Sequence, residues 1–175
     1  MKNLLFLFAT ILTLTCCDKD DNKSTNPIDQ LPPATQTGAN TAGCLVNGEA
    51  LLPKGTGIIL NCFYQDGLNF GLSITQEKVN IRKTINIASL NQKLEVGQIY
   101  QLKEYGANSK YGEYLISHDD FSEIHYKTNT IVNGELKITY HNFDKAFICG
   151  TFWFDAVNEA GEKVGVREGR FDMKY

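Results

Sequence analysis

The densest group of side chains able to do chemistry is the stretch SHDDFSEIHY, residues 117–126, with His118, Asp119 and Asp120 at one end and Glu123 and His125 at the other. Imidazoles and carboxylates are ligands for zinc and other divalent cations, but three or four must converge to hold one. Residues two apart on a strand share a face, so Glu123 and His125 could meet His118 across a turn. The spacing matches no strong metal motif, and Asp-Asp between two strands also serves as a solvated turn. His118, Asp120, Glu123 and His125 are therefore weak metal candidates, and no cofactor is expected. The sequence has no Gly-x-Ser-x-Gly, no His-Glu-x-x-His, no phosphate loop and no cysteine-histidine pair at a recognisable spacing. The expectation is a protein that is not an enzyme, with a metal-dependent enzyme as the remotest alternative.

Aromatic side chains offer binding chemistry instead. Tyr105, Tyr111 and Tyr114 flank the polar loop GANSKYGEY, and Trp153 alternates with Phe152 and Phe154, so it lies on the opposite face of their strand. Exposed rings on a β-scaffold can stack on sugars or anchor a protein partner. These four are the candidate residues for a glycan or protein ligand. The competing reading buries them, since a domain with 11% aromatic residues must place many in its core.

Five cysteines fall into two groups. Cys44 and Cys62 lie at strand positions that could meet across adjacent or facing strands, which would close a loop contributing about 3 kcal/mol. They are the expected disulfide, leaving Cys149, in FICGTF, as a small buried hydrophobe. Cys16 and Cys17 stand together in LTCCDKDDN, after MKNLLFLFATILTLT. That opening run has one cation and about a dozen apolar or hydroxyl residues, too few to span a bilayer, which takes about 20. It reads as a signal peptide, residues 1–16. A signal ending at cysteine resembles those of bacterial lipoproteins, and Cys17 fits that pattern with Leu14 three positions upstream; Cys16 is the alternative. The resemblance implies acyl chains on Cys17, and two or more chains anchor stably where one does not. The following CDKDD resembles the export tag of surface lipoproteins in the Bacteroidota, carried here by Lys19, Asp20 and Asp21. It implies an outer-membrane, cell-surface location, with the periplasmic leaflet as the alternative.

These residues must be positioned by the rest of the chain. Residues 17–40 are rich in Asp, Asn, Ser, Thr and Pro, and such a composition cannot offset the entropy of ordering. They read as a flexible, disordered tether, able to reach about 75 Å when extended. Residues 41–175 then form one domain of ordinary size. The chain has 17 Lys+Arg against 20 Asp+Glu, a formal charge of −3, which argues against a nucleic-acid partner.

The domain alternates with a period of two. In LNFGLSIT, Leu68, Phe70, Leu72 and Ile74 share a side; the same pattern runs through Ile81–Ile87, Leu136–Tyr140 and Phe171–Tyr175. Further strands are expected at Gly43–Leu52, Ile58–Gln65, Gln98–Glu104, Tyr111–Ser117, Ser122–Thr128, Ala146–Val157 and Lys163–Arg167. Turn groups at 65–67, 132–134, 142–144 and 158–161 separate them, and Gly169 could re-phase the last strand through a bulge. About ten short strands imply an all-β fold, a single antiparallel β-sandwich, with a closed β-barrel as the alternative.

The segments GTFWFDAVNEAGEKVGVREGRFDMKY, residues 150–175, and LPPATQTGANTAGCLVNG, residues 31–48, resemble a family of uncharacterised flavobacterial lipoproteins that carry a domain of unknown function. The resemblance brackets the whole domain and implies an address and a fold class, but no catalytic residues. The leading expectation is a membrane-anchored structural or accessory lipoprotein, with a glycan- or peptide-binding module next.

Overall fold

In a computed structural model of the chain, residues 26–175 are described. The signal peptide, Cys16, Cys17 and the tag at Lys19, Asp20 and Asp21 lie outside the described residues. Eleven strands follow a short 3₁₀ turn, Pro27–Gln30: β1 Thr41–Val46, β2 Glu49–Leu51, β3 Leu60–Gln65, β4 Asn69–Lys78, β5 Ile81–Leu90, β6 Ile99–Leu102, β7 Lys110–His118, β8 Glu123–Lys127, β9 Gly134–Asn142, β10 Phe147–Val157 and β11 Lys163–Lys174. The expected strand at 43–52 is two strands, because Asn47 and Gly48 both adopt positive φ, 49° and 84°, the signature of a two-residue hairpin turn.

All eleven strands belong to one antiparallel sheet, in the order β2-β1-β11-β10-β8-β7-β5-β4-β3, with β9 on the second edge of β10 and β6 beyond it. The sheet does not close into a barrel. It folds across itself, in the manner of a sandwich, at a corner where Val157 of β10 meets Lys127 of β8. One lobe thus holds β6, β9, β10, β11, β1 and β2, and the other β8, β7, β5, β4 and β3. Their inner faces form the core. Phe70 of β4 lies 5.8 Å from Phe171 of β11, and Gly112 of β7 leaves room for the Phe154 ring, which a Cβ there would approach to 2.9 Å.

The described part of the expected tether is docked on the sheet. Leu31 is buried, and the Thr37 and Gly38 amides donate to the Asp172 carboxylate at 2.9 and 2.7 Å. The Thr35 hydroxyl adds a third bond, at 2.6 Å. Composition misled here because the segment needs little apolar burial: an acceptor at the far end of the chain satisfies its polar groups. From residue 26 onward, a flexible tether is corrected to a strap.

A second correction concerns the cysteines. Cys44, Cys62 and Cys149 are all free thiols, and all are buried. Cys44 faces a region of the core shared with Tyr114, whereas Cys62 faces Cys149 and Tyr175. The pair expected from face parity is therefore aimed at different neighbours. Burial pushes the thiols of Cys44 and Cys62 up to about 12.

Candidate functional site

The cluster that opened the sequence reading does not converge. Asp120 closes its own turn, accepting from the Ser122 amide and hydroxyl at 3.0 and 2.6 Å. His125 lies on the outer face, between Glu113 at 2.8 Å and Glu123 at 3.3 Å. His118 sits across the turn from both. Among the described residues, no group of three or more His, Cys, Asp or Glu side chains could hold a metal ion.

The outer face of β9, β10 and β11 is differently organised. Strand alternation turns Phe152, Phe154 and Ala156 into the core and leaves Thr151, Trp153 and Asp155 outside. Opposite Trp153 the register of β11 slips, since Phe152 pairs with Gly169 and Phe154 with Val166. Two residues, Arg167 and Glu168, therefore face one, and Glu168 takes φ 55° to make the bulge. Gly169 is obligatory there, because a Cβ would come within 2.4 Å of the Phe152 ring. This is the bulge expected from Gly169, and its effect is to set Arg170 opposite Thr151 on the outer face, one row from Arg167, which the pairing of Val166 with Phe154 already sets opposite Trp153.

The ring of Trp153 is held on several sides. The Arg167 guanidinium carbon is 5.5 Å from the ring centroid, within cation–π range. The guanidinium itself is fixed, donating to Asp155 Oδ1 at 2.6 Å and to the Phe154 and Val166 carbonyls at 3.0 and 2.9 Å. On the other strand, Trp153 Nε1 donates to Glu135 Oε2 at 3.2 Å, and Glu135 accepts from Gln101 at 3.1 Å. One cross-strand row thus reads Gln101, Glu135, Trp153, Arg167. The next row reads Ile99, Lys137, Thr151, Arg170. Arg170 is paired with Glu168 at 3.2 Å, whereas Lys137 has no side-chain partner among the described residues.

All residues of these two rows but Gln101, closed on one side by Ala34 of the strap, line a cleft of about 530 Å³. A second cleft, of about 630 Å³, continues from the shared Ile99 along Gln101 and Lys103 to Glu104 and Tyr105. A third, of about 520 Å³, takes over at Glu104 and Tyr105 and ends among Tyr111, Glu113, Lys127 and Asn129. Tyr105 is 67% exposed and packs edge-on against Tyr111, with ring centroids 5.1 Å apart. Burial, and after it the neighbouring Glu113, pushes the Tyr111 phenol up. The three clefts form a discontinuous trough with an aromatic platform at each end.

Of the four aromatic candidates, Trp153, Tyr105 and Tyr111 line this trough and Tyr114 does not. Tyr114 is 4% exposed and faces the core, 5.7 Å from Tyr126. Residues three apart on a strand point to opposite faces, so Tyr111 and Tyr114 could not both have been outside. Sequence reasoning missed Glu135, Lys137, Arg167 and Arg170. Their alternation with Leu136, Ile138 and Val166 put Glu135, Lys137 and Arg167 on an outer face, but only the pairing of β9 with β10 and the bulge in β11 gather all four around Trp153.

The model of a domain of unknown function, DUF6252, matches residues 71–173, from within β4 to within the last residues of β11. Neither a curated protein nor a solved structure matches the chain.

Proposed function

This chain belongs to the DUF6252 family of domains of unknown function, a membership that carries no activity, and we propose that it is a lipid-anchored surface module that binds an extended glycan along the trough from Trp153 to Tyr105 and Tyr111. The observation that carries the reading is that neighbouring clefts share lining residues, Ile99 between the first and second and Glu104 and Tyr105 between the second and third. A polymer can lie across all three, stacking sugar rings on the aromatic groups at both ends. Between them, Lys137, Gln101, Thr151 and Glu104 offer donors and acceptors for hydroxyl groups. The sequence alone ranked a structural or accessory role first; the pinned Trp153 ring favours binding instead, because a ring held in place loses little entropy when a ligand stacks on it.

The test is retardation of the full-length protein, in detergent, by soluble neutral and uronic polysaccharides in a native gel. Retardation by at least one of them, lost in Trp153→Ala, supports the reading; equal mobility with and without every polysaccharide counts against it. The address has a separate test. Replacing Cys17 with Ser should release the protein from membranes, and release by Cys16→Ser alone would move the anchor. Replacing Lys19, Asp20 and Asp21 with Ala should keep it anchored but protected from protease added to intact cells, as a surface lipoprotein of a flavobacterium would require. Continued digestion would remove the export tag from the account.

A further inference from the structure

A folded-over sheet that does not close must leave edges, and edges invite pairing unless they are short, charged or covered. Here the treatment is uneven. β2 has three residues and carries Glu49; β8 carries Glu123, His125 and Lys127; β6 has four residues, and the segment after it is tied to β7 through the Lys103 amide and the Lys110 carbonyl at 2.7 Å. β3 has none of these protections. It ends the strand order and, among the described residues, pairs with β4 alone. From residue 55 to residue 65 there is no charge and no proline. Phe63 is 49% exposed, its ring lying across Gly71 on the outer face, and Ile58 just before the strand is 78% exposed.

The backbone groups on this edge can be assigned. The Thr75 amide donates to the Ile59 carbonyl at 2.7 Å, and the same register runs on as Asn61–Ser73, Phe63–Gly71 and Gln65–Asn69. Bonded and non-bonded pairs alternate along an antiparallel ladder. The odd-numbered residues therefore bond to β4, and Leu60, Cys62 and Tyr64 turn their N–H and C=O groups toward the open edge.

We propose that β3 is a dimerisation edge, which a second copy of this chain covers by antiparallel pairing of β3 with β3 about a two-fold axis. The register that uses every outward residue centres on Cys62, sets Leu60 opposite Tyr64 of the second copy, and forms about six interchain hydrogen bonds. Outside, Asn61 then lies beside Phe63 of the second copy, and Ile58 is covered by the turn at 66–68. An identical strand is the fitting occupant because the edge carries no charge, so nothing repels its own copy and nothing selects an oppositely charged partner. The inference does not depend on the trough, whose residues lie on other strands.

Cross-linking tests both the contact and its register. Asn61 and Phe63 of the two copies form non-bonded pairs, about 4.5 Å apart at Cα, within the range a disulfide spans. The full-length double variant Asn61→Cys/Phe63→Cys, oxidised in membranes, should run at twice the monomer mass without reductant, well above the band from the unaltered chain. Each single variant should stay at that background. No added dimer in the double variant, or an equal band from Phe63→Cys alone, overturns the register. Sedimentation of the unaltered full-length chain in detergent should show a dimer that Phe63→Lys converts to monomer with its circular dichroism unchanged. An unaltered chain that is monomeric at every concentration overturns the proposal.

Discussion

The Arg167 guanidinium lies 5.5 Å from the centre of the Trp153 ring, and it is there because β11 pairs with β10 in the register that sets Val166 opposite Phe154, with the extra residue of the bulge, Glu168, following it. A strand without the bulge would keep Arg167 opposite Trp153 but would place Gly169, in place of Arg170, opposite Thr151. The trough is thus a consequence of backbone register before it is one of side-chain chemistry. Changing Gly169 to Ala should disturb it through Phe152, whose ring occupies the space of the missing Cβ. The expected result is a loss of stability of about 2 kcal/mol with loss of binding, read from a urea midpoint and from gel retardation together. Unchanged stability would mean that Phe152 yields freely and the bulge does not need glycine.

Tyr105 and Tyr114 should separate binding from stability. Tyr114→Ala removes a buried ring and should cost about 3–4 kcal/mol. Tyr105→Ala removes an exposed one and should change stability by less than about 0.5 kcal/mol while weakening retardation. If Tyr105→Ala left binding intact, the Tyr105–Tyr111 end of the trough would not take part.

Asp172 fastens the strap. Its carboxylate is 1% exposed and accepts from Thr35, Thr37, Gly38 and the Cys149 thiol, the last at 3.1 Å. Burial opposes the charge, but these donors outweigh it and hold the carboxyl well below the usual carboxylate range. A depressed folded-state pKa contributes stability that is complete above the unfolded value, near 3.9, and is lost as pH falls through the folded one. The urea midpoint should therefore fall from pH 5 downward in the natural chain. In Asp172→Asn the stability should be lower at neutral pH by about 3 kcal/mol and flatter with pH. Protease should then cut between residues 31 and 40. A variant as stable as the natural chain would show that the strap is held by Leu31 alone.

The thiols should behave as three inert, reduced groups. Burial, the bond to Asp172 and its nearby charge push Cys149 up to about 12, as burial does Cys44 and Cys62. Added reductant should leave the thermal midpoint of the folded domain unchanged, and these three should react with a thiol reagent only after unfolding. A fall in the midpoint on reduction would restore the disulfide.

The strands were legible because alternation is a local signal. Phe152, Phe154 and Ala156 against Thr151, Trp153 and Asp155 could be assigned to faces from sequence alone, and Gly169 announced its bulge. What escaped depends on partners far along the chain. Nothing near Thr35, Thr37 or Gly38 reveals that Asp172, over 130 residues away, will satisfy their donors. A single strand over 43–52 runs through Asn47-Gly48, a strong hairpin turn that divides it in two. Tyr111 and Tyr114 are close in sequence, but strand parity parts them, one outside and one in the core. The trough needed the order of β9, β10 and β11 and their register, neither of which is written in any one segment.

The chain has one tryptophan, and it is Trp153. Its fluorescence therefore reports on the proposed site with no other contributor. Titrating the full-length protein with a panel of neutral and uronic oligosaccharides should give a saturable change in that emission for at least one of them. Arg167→Ala should weaken it about tenfold, the equivalent of about 1.4 kcal/mol. An emission spectrum unmoved by every oligosaccharide, in a protein whose circular dichroism shows the folded sheet, would contradict glycan binding at the trough.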